Sequence, residues 1–271
     1  MAISDLNKQL RKTIPGISGQ VVKELGVYIK TLVDKPRKHN PVRASSLYDT
    51  CMRAEVLSKQ YPRERWKPDV KTQMIFDIGT MAHWWWQNKY LGPAGLLFGN
   101  WKCSKCGVLR LEGLMPEAQA VPCKECGALL VEYEEYEMFD EETGISAHSD
   151  GIYVGEDIRC LLEFKTSGEK YWTQTVKPGE NHIFQASIYY WLLKLEKAKI
   201  IYINKTTGKP KEFTVDADMK MVEQGKKKAL TIQSITADSD SKDYKRVCFS
   251  KTMFKSKKCP WVEECFSCGE R

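Results

Sequence analysis

The sequence predicts a mixed α/β core that carries a small cysteine-rich module. Three observations lead there. Helix-period segments stand before, between and after short strand-like runs, which is the pattern of a mixed α/β chain. Two strand-like runs, residues 145–154 and 158–165, meet at a tight turn at Gly155 and carry polar residues inside otherwise apolar sequence. Two Cys-x-x-Cys pairs, Cys103/Cys106 and Cys123/Cys126, lie 16 residues apart.

In chain order, residues 1–17 are polar. Ser18 is placed to cap a helix that ends near Val33, with Val21, Val22, Leu25, Ile29 and Leu32 apolar; Pro36 and Pro41 stop it. Ser45 or Ser46 starts a second helix that passes through Cys51 to about Gln60, before Pro62. A third helix runs from about Val70 to Tyr90 and contains His83 and the run Trp84-Trp85-Trp86. After the cysteine pairs, sheet-like sequence resumes at residues 129–138, and the acidic run 132–142 reads as mostly structural. Residues 166–180 hold Gly168, Pro178 and Gly179 and read as a loop before a helix at about 181–197. Residues 200–204 and 212–215 form a second hairpin, and Asp216 or Asp218 caps a helix to about Ile235. A polar linker, 238–245, leads to a cysteine-bearing tail. The expected organisation is an N-terminal helical segment (1–44), a helical part of the core domain (45–100), a ribbon insertion (101–138), the sheet core (139–246) and the tail (247–271).

The 271 residues are 42% hydrophobic, enough for one sizeable core. No apolar run approaches the roughly 20 residues that span a bilayer, so no membrane partner is expected. The start, Met1-Ala2-Ile3-Ser4-Asp5, lacks a hydrophobic signal core, and a cytoplasmic location is the default expectation. The net charge of +7 is uneven: +8 over residues 1–72, −6 over 73–204 and +5 over 205–271. Basic flanks around an acidic centre suit a protein that grips phosphates at its edges and holds cations in its middle. Solubility alone would also account for surface lysines.

Ten cysteines in such a chain point to metal rather than disulfides. Each Cys-x-x-Cys knuckle can offer two thiolates to adjacent corners of a tetrahedron, and two knuckles close a four-thiolate site that suits structural zinc. Gly107 and Gly127 follow the knuckles, where the backbone commonly needs a left-handed residue. Such a ribbon either contacts DNA or stiffens a long loop. A second set, Cys259, Cys265 and Cys268, needs a fourth ligand, and Cys51 is the best placed, with Cys248 in reserve. All-thiolate ligation there suits zinc or an iron–sulfur cluster, and it would clip the two ends of the chain together. Cys160, in an apolar strand, reads as a buried small hydrophobe.

Asp150, Glu163 and Lys165 lie in the hairpin of residues 145–165. Glu163 and Lys165 are two apart and share one strand face, while Phe164 points to the other with Cys160 and Leu162. On exposed strands these charges would be only a solvated face. Converging, they supply carboxylates for a hard divalent cation and a lysine for developing charge. His83 could reach such a cation, although a helix histidine beside tryptophans is more often a packing residue. Gln185 and Tyr189, at i and i+4, share a helix face.

The order Gly79-x-x-x-His83, Asp150-Gly151-Ile152, Glu163-Phe164-Lys165 and Gln185-x-x-x-Tyr189 resembles the RecB-type branch of the PD-(D/E)XK nuclease superfamily. Cysteines at both ends make it similar to the iron–sulfur members, among them the CRISPR-associated RecB-like exonucleases. The resemblance covers about residues 45–271. It implies a restriction-endonuclease-like fold and a metal-dependent deoxyribonuclease acting on single strands or duplex ends, in DNA repair, recombination or DNA processing, with protein partners there. It implies that His83, Asp150, Glu163 and the carbonyl of Phe164 bind Mg²⁺ or Mn²⁺. Lys165 would orient water or stabilise the transition state, and Gln185 and Tyr189 would position the strand. Cys51, Cys259, Cys265 and Cys268 would hold a 4Fe-4S cluster. Two departures stand out: the late cysteines run x5 then x2, the reverse of the family order, and the ribbon is not a general family feature. A non-catalytic nucleic-acid-binding protein and a sequence- or structure-specific endonuclease are the alternatives. Lys205, Lys209 and Lys226–Lys228 are candidates to hold the DNA backbone, and Trp84–Trp86 to stack on bases.

Overall fold

Apolar runs and their breaks set the elements of the computed structural model, which describes residues 20–33, 42–155 and 159–267. Helix α1 (Gln20–Val33) packs Ile29 and Val33 against Val70. The cap expected at Ser18, and Pro36 and Pro41, lie outside the described residues. The single helix expected through Cys51 is two: α2 (Ala44–Leu47) and α3 (Met52–Gln60). The amides of Asp49 and Thr50 bond back three residues, to Ser46 and Leu47, and the Thr50 hydroxyl bonds the Ser46 carbonyl at 3.0 Å. That closes the first helix and leaves Cys51 extended as the N-cap of the second. In α4 (Val70–Trp85), Asp69 accepts the Thr72 amide at 2.7 Å. The helix continues as one π-helical turn, Trp86–Leu91, rather than as α-helix to Tyr90.

The sheet then forms from β1 (Leu97–Cys103), β2 (Leu109–Leu114), β3 (Val131–Glu134), β6 (Gly151–Val154), β7 (Arg159–Ser167), β8 (Lys197–Asn204) and β9 (Pro210–Asp216). Helix α5 (Met115–Ala120) follows β2. A separate hairpin pairs β4 (Tyr136–Phe139) with β5 (Ser146–Ser149). The sheet order is β2-β1-β6-β7-β8-β9, with β3 also on β1. Among the described strands only β7 and β8 pair in parallel, and their crossover carries α6 (Glu169–Gln174) and α7 (Glu180–Leu193). Helix α8 (Met219–Ser234), capped by Asp218, packs on α7. Helices α9 (Phe254–Lys257) and α10 (Val262–Ser267) finish the described chain. This is the mixed sheet flanked by helices that a restriction-endonuclease-like fold requires.

The core lies on both sheet faces. Leu161, Ala198, Ile200 and Tyr202 face α7 and α8, whereas Leu162, Phe164, Ile201 and Ile203 face Trp101, Met115 and Tyr133. The alternation along β7 and β8 is the period-two pattern read from sequence. Burying a side chain such as Phe164 contributes about 1.5–3 kcal/mol.

Several elements differ from expectation. Residues 145–154 are not one strand: β5 and β6 belong to different sheets and break at Asp150. The expected loop 166–180 holds the end of β7 and α6, with Trp172 Nε1 donating to the Tyr202 carbonyl at 3.0 Å. Helix α7 stops short of Lys197, because Lys194 turns left-handed (φ 54°) and Lys197 pairs with Asp216 in the sheet. The linker 238–245 contains a 3-10 turn, Ser241–Asp243, and Gln60 at the end of α3 bonds the carbonyls of Ala237 and Ser239 at 3.2 and 2.8 Å.

Candidate active site and metal centres

Strands β3 and β6 both run antiparallel to β1 along the same edge, end to end. Glu134 pairs with Asn100 and Ile152 pairs with Phe98, leaving Gly99 between them. At this gap the chain leaves the large sheet, makes the β4–β5 hairpin and returns. Glu135 is the exit residue and Asp150 the return residue, and the pairing of Tyr136 with Ser149 sets them side by side. A side chain on Gly99 would not fit, since its Cβ would run into the Tyr133 ring.

Asp150 is buried, and its Oδ2 accepts the amide of Phe164 on β7 at 2.6 Å. Its Oδ1 lies 3.3 Å from Nδ1 of His83 in the last turns of α4. Gln87 in the π-helical turn donates to the Asp150 carbonyl at 2.8 Å. The His83 ring lies 5.7 Å from the Phe164 ring, and the Trp86 ring 5.8 Å from it on the core side. On the α7 face of β7, Lys165 Nζ donates to Glu163 Oε1 at 2.6 Å and to Gln185 Oε1 at 2.8 Å. Gln185 in turn donates to the Tyr189 hydroxyl at 2.7 Å. The structure therefore brings His83, Asp150, Glu163, Lys165, Gln185 and Tyr189 into one neighbourhood. It is the amide of Phe164 that meets Asp150.

Burial pushes the Glu163 carboxyl up to about 7, against the pull of Lys165. Burial opposes the charge on Lys165, but Glu163 and Asp150 keep its pKa above the usual lysine range. Burial likewise opposes protonation of His83, yet the bond to Asp150 and the nearby carboxylates raise its pKa. The other carboxylate oxygen of Glu163, Oε2, is buried without a hydrogen-bond partner. Leaving such an atom unpaired costs about 1–3 kcal/mol or more. An oxygen-rich donor set, an orphaned carboxylate oxygen and an excess of carboxylate fit a hard divalent cation.

Glu135 escapes the sequence reading, which treats its acidic run as mostly structural. His83, Glu135 and Asp150 bring ligand atoms within 4.8 Å of one another, and Glu163 is not in that trio. Along β3, Val131 and Tyr133 are buried and Glu132 is exposed, but Glu134 and Glu135 are both half-buried, so the alternation alone does not single Glu135 out. Gln87 escapes it as well. Of the tryptophans, Trp86 packs against the core, Trp84 bonds Glu132 at 2.5 Å, and Trp85 is exposed. Lys205 and Lys228 donate to the carbonyls of Ile75 and Tyr48, both at 2.9 Å, and Lys226 pairs with Glu223.

Cys103, Cys106, Cys123 and Cys126 form a four-thiol group that can hold one metal ion. Cys103 and Cys126 sulfurs are 3.4 Å apart, and those of Cys106 and Cys123 3.6 Å. A tetrahedron with arms of about 2.3 Å has an edge of about 3.8 Å. Gly107 and Gly127 take φ of 74° and 69°, the left-handed turn expected after each knuckle. Backbone amides of the knuckles favour the thiolates: that of Cys106 leads in lowering Cys103 to about 6, and that of Glu125 leads in lowering Cys123.

Cys51, Cys248, Cys259 and Cys265 line one cavity of about 450 Å³. Burial raises the Cys259 and Cys265 thiols, and Cys51 adds to both. Among the described residues these thiols do not approach as closely as single-ion ligands do. An iron–sulfur cube, whose cysteines bind separate irons, makes no such demand. Cys268 lies outside the described residues.

No family model matches the sequence, and no curated protein is significantly similar to it. Among solved structures, SSO0001 is 14% identical, with 91% of this chain and 96% of that one covered and a TM-score of 0.44. The alkaline exonuclease of Laribacter hongkongensis is 15% identical over 37% of this chain, with a TM-score of 0.32. The match spans 56% of the length of that exonuclease. Rai1 of Scheffersomyces stipitis is 9% identical, with 73% of this chain and 61% of that one covered and a TM-score of 0.26. At these scores none of them speaks to the activity of this chain.

Proposed function

We propose that the chain is a metal-dependent deoxyribonuclease of the PD-(D/E)XK type, an exonuclease on single strands or duplex ends. The observation that carries the reading is Lys165, held between Glu163 and Gln185 beside Asp150 and His83. His83, Asp150, Glu163 and the Phe164 carbonyl would hold Mg²⁺ or Mn²⁺. Such a cation supplies positive charge at the scissile phosphate and activates water. Lys165 stays protonated, so it acts as a fixed positive charge on the attacked phosphate rather than as a general base. Gln185 and Tyr189 fix its direction, and the Phe164 and Trp86 rings keep bulk water from behind the site. The ribbon would hold zinc, and Cys51, Cys259, Cys265 and Cys268 a 4Fe-4S cluster.

The test is degradation of 5′- and 3′-labelled single- and double-stranded DNA with Mg²⁺ or Mn²⁺. Wild type should cleave only with the cation. Glu163→Gln and Lys165→Ala should lose at least about 100-fold while retaining wild-type circular dichroism. Unchanged cleavage in either variant overturns the site assignment. Cutting of closed circular DNA would identify an endonuclease instead.

A further inference from the structure

We propose that Glu135 is a ligand of the catalytic cation, and that the four-cysteine ribbon holds it in place. The inference rests on the nuclease reading and adds to it a residue outside the Asp150–Glu163–Lys165 series.

Position gives Glu135 this role. It stands where β3 ends and the chain turns into the β4–β5 hairpin, opposite the return at Asp150. Its carboxylate, a His83 ring nitrogen and an Asp150 carboxylate oxygen all lie within 4.8 Å of one another. Ligands on opposite sides of a Mg²⁺ at about 2.1 Å are roughly 4.2 Å apart, so the trio spans one ion. The buried, unpartnered Oε2 of Glu163, a carboxylate that feels the charges of Asp150 and His83, is a second sign that the cluster suits a cation. Glu135 and Glu163 both feel the charge of Asp150, so three carboxylates share one neighbourhood with His83, a setting that suits a divalent ion.

The ribbon sets where Glu135 falls. Strand β1 ends at Cys103 in the first knuckle, and β3 begins five residues after Cys126 in the second. Cys103 pairs with Val131, so one four-thiol centre joins both strands at the far end of their ladder. At the near end, Asn88 Oδ1 accepts the Tyr133 amide at 2.7 Å, two residues before Glu135. A shift of β3 by one residue would turn Glu135 to the other face of the sheet.

The experiment is titration of the purified, zinc-loaded protein with Mn²⁺, read as loss of the free-ion signal in electron paramagnetic resonance. Glu135→Gln should weaken Mn²⁺ binding about 10-fold or more, and Glu135→Asp should recover part of it. Glu137→Gln, on the exposed neighbouring position, should bind as wild type. If Asp150→Asn loses Mn²⁺ and Glu135→Gln does not, Glu135 is no ligand, although the nuclease reading stands. If neither variant changes binding, that reading falls too. For the ribbon, Cys126→Ser, and Asn88→Ala as a milder disturbance of β3, should weaken Mn²⁺ in wild type. Neither should weaken it further in Glu135→Gln. Additive losses overturn the coupling.

Discussion

Lys165 has two side-chain acceptors, Glu163 Oε1 on its own strand and Gln185 Oε1 on α7. The proximity of Glu163, Lys165, Gln185 and Tyr189 is legible in sequence because it needs only local geometry: a two-residue strand repeat and an i, i+4 helix face. Glu135 is not, because its neighbour Asp150 lies across a hairpin and no short-range spacing links them. The histidine on α7, His182, behaves oppositely to His83. Burial first, then Lys165, lowers His182 to about 4, while Nδ1 sits 2.6 Å from the Tyr202 hydroxyl. An unfolded histidine titrates near about 6.5. The unfolded chain therefore binds more protons between those values, and stability rises with pH across that window. Its contribution is complete above about 6.5 and is lost as the pH falls toward 4. In denaturant melts across this window, wild type should lose stability relative to His182→Gln as the pH falls.

Helices α4, α7 and α8 are legible because helix-compatible runs are local, and α8 also carries its cap at Asp218. The breaks at Cys51 and Asp150 are not. At Cys51 a run of turn bonds overrides a helix-compatible sequence, and at Asp150 one apolar run is shared between two sheets. The α7–α8 contact shows how little slack these elements have. Phe184 through Tyr190 are all buried, and α8 meets them at Gly225. A Cβ there would lie 2.6 Å from Ile188 Cδ1 and 3.1 Å from Phe184 Cζ. Gly225→Ala gains helix propensity on an isolated helix, yet here overpacking should win and cost about 1–3 kcal/mol. Urea denaturation should show a lower midpoint with an unchanged slope.

Across the whole molecule, the C-terminal tail folds back on the helices that precede the sheet. Arg63 donates to the Pro260 carbonyl at 2.8 Å and pairs with Glu264, and Trp261 Nε1 donates to the Tyr61 carbonyl at 2.7 Å. Cysteines from both ends face the cavity between them. Protein purified without oxygen should be brown and carry iron and sulfide beyond the ribbon's metal, and Cys259→Ser should lose both. Colourless wild-type protein with two zinc ions would assign both centres to zinc. A count of three late cysteines against one early one motivates the proposed clip. What the count does not convey is that ion pairs and an indole bond already join the ends. The seam on β1 carries a different consequence. Because β3 and β6 meet end to end, the ribbon tip works as a gauge block: it measures off the chain from a fixed zero at Cys103. Between the knuckles lie β2, paired with β1, and α5, whose Met115 and Ala118 are buried, and the five steps from Cys126 to Val131 then set where β3 starts.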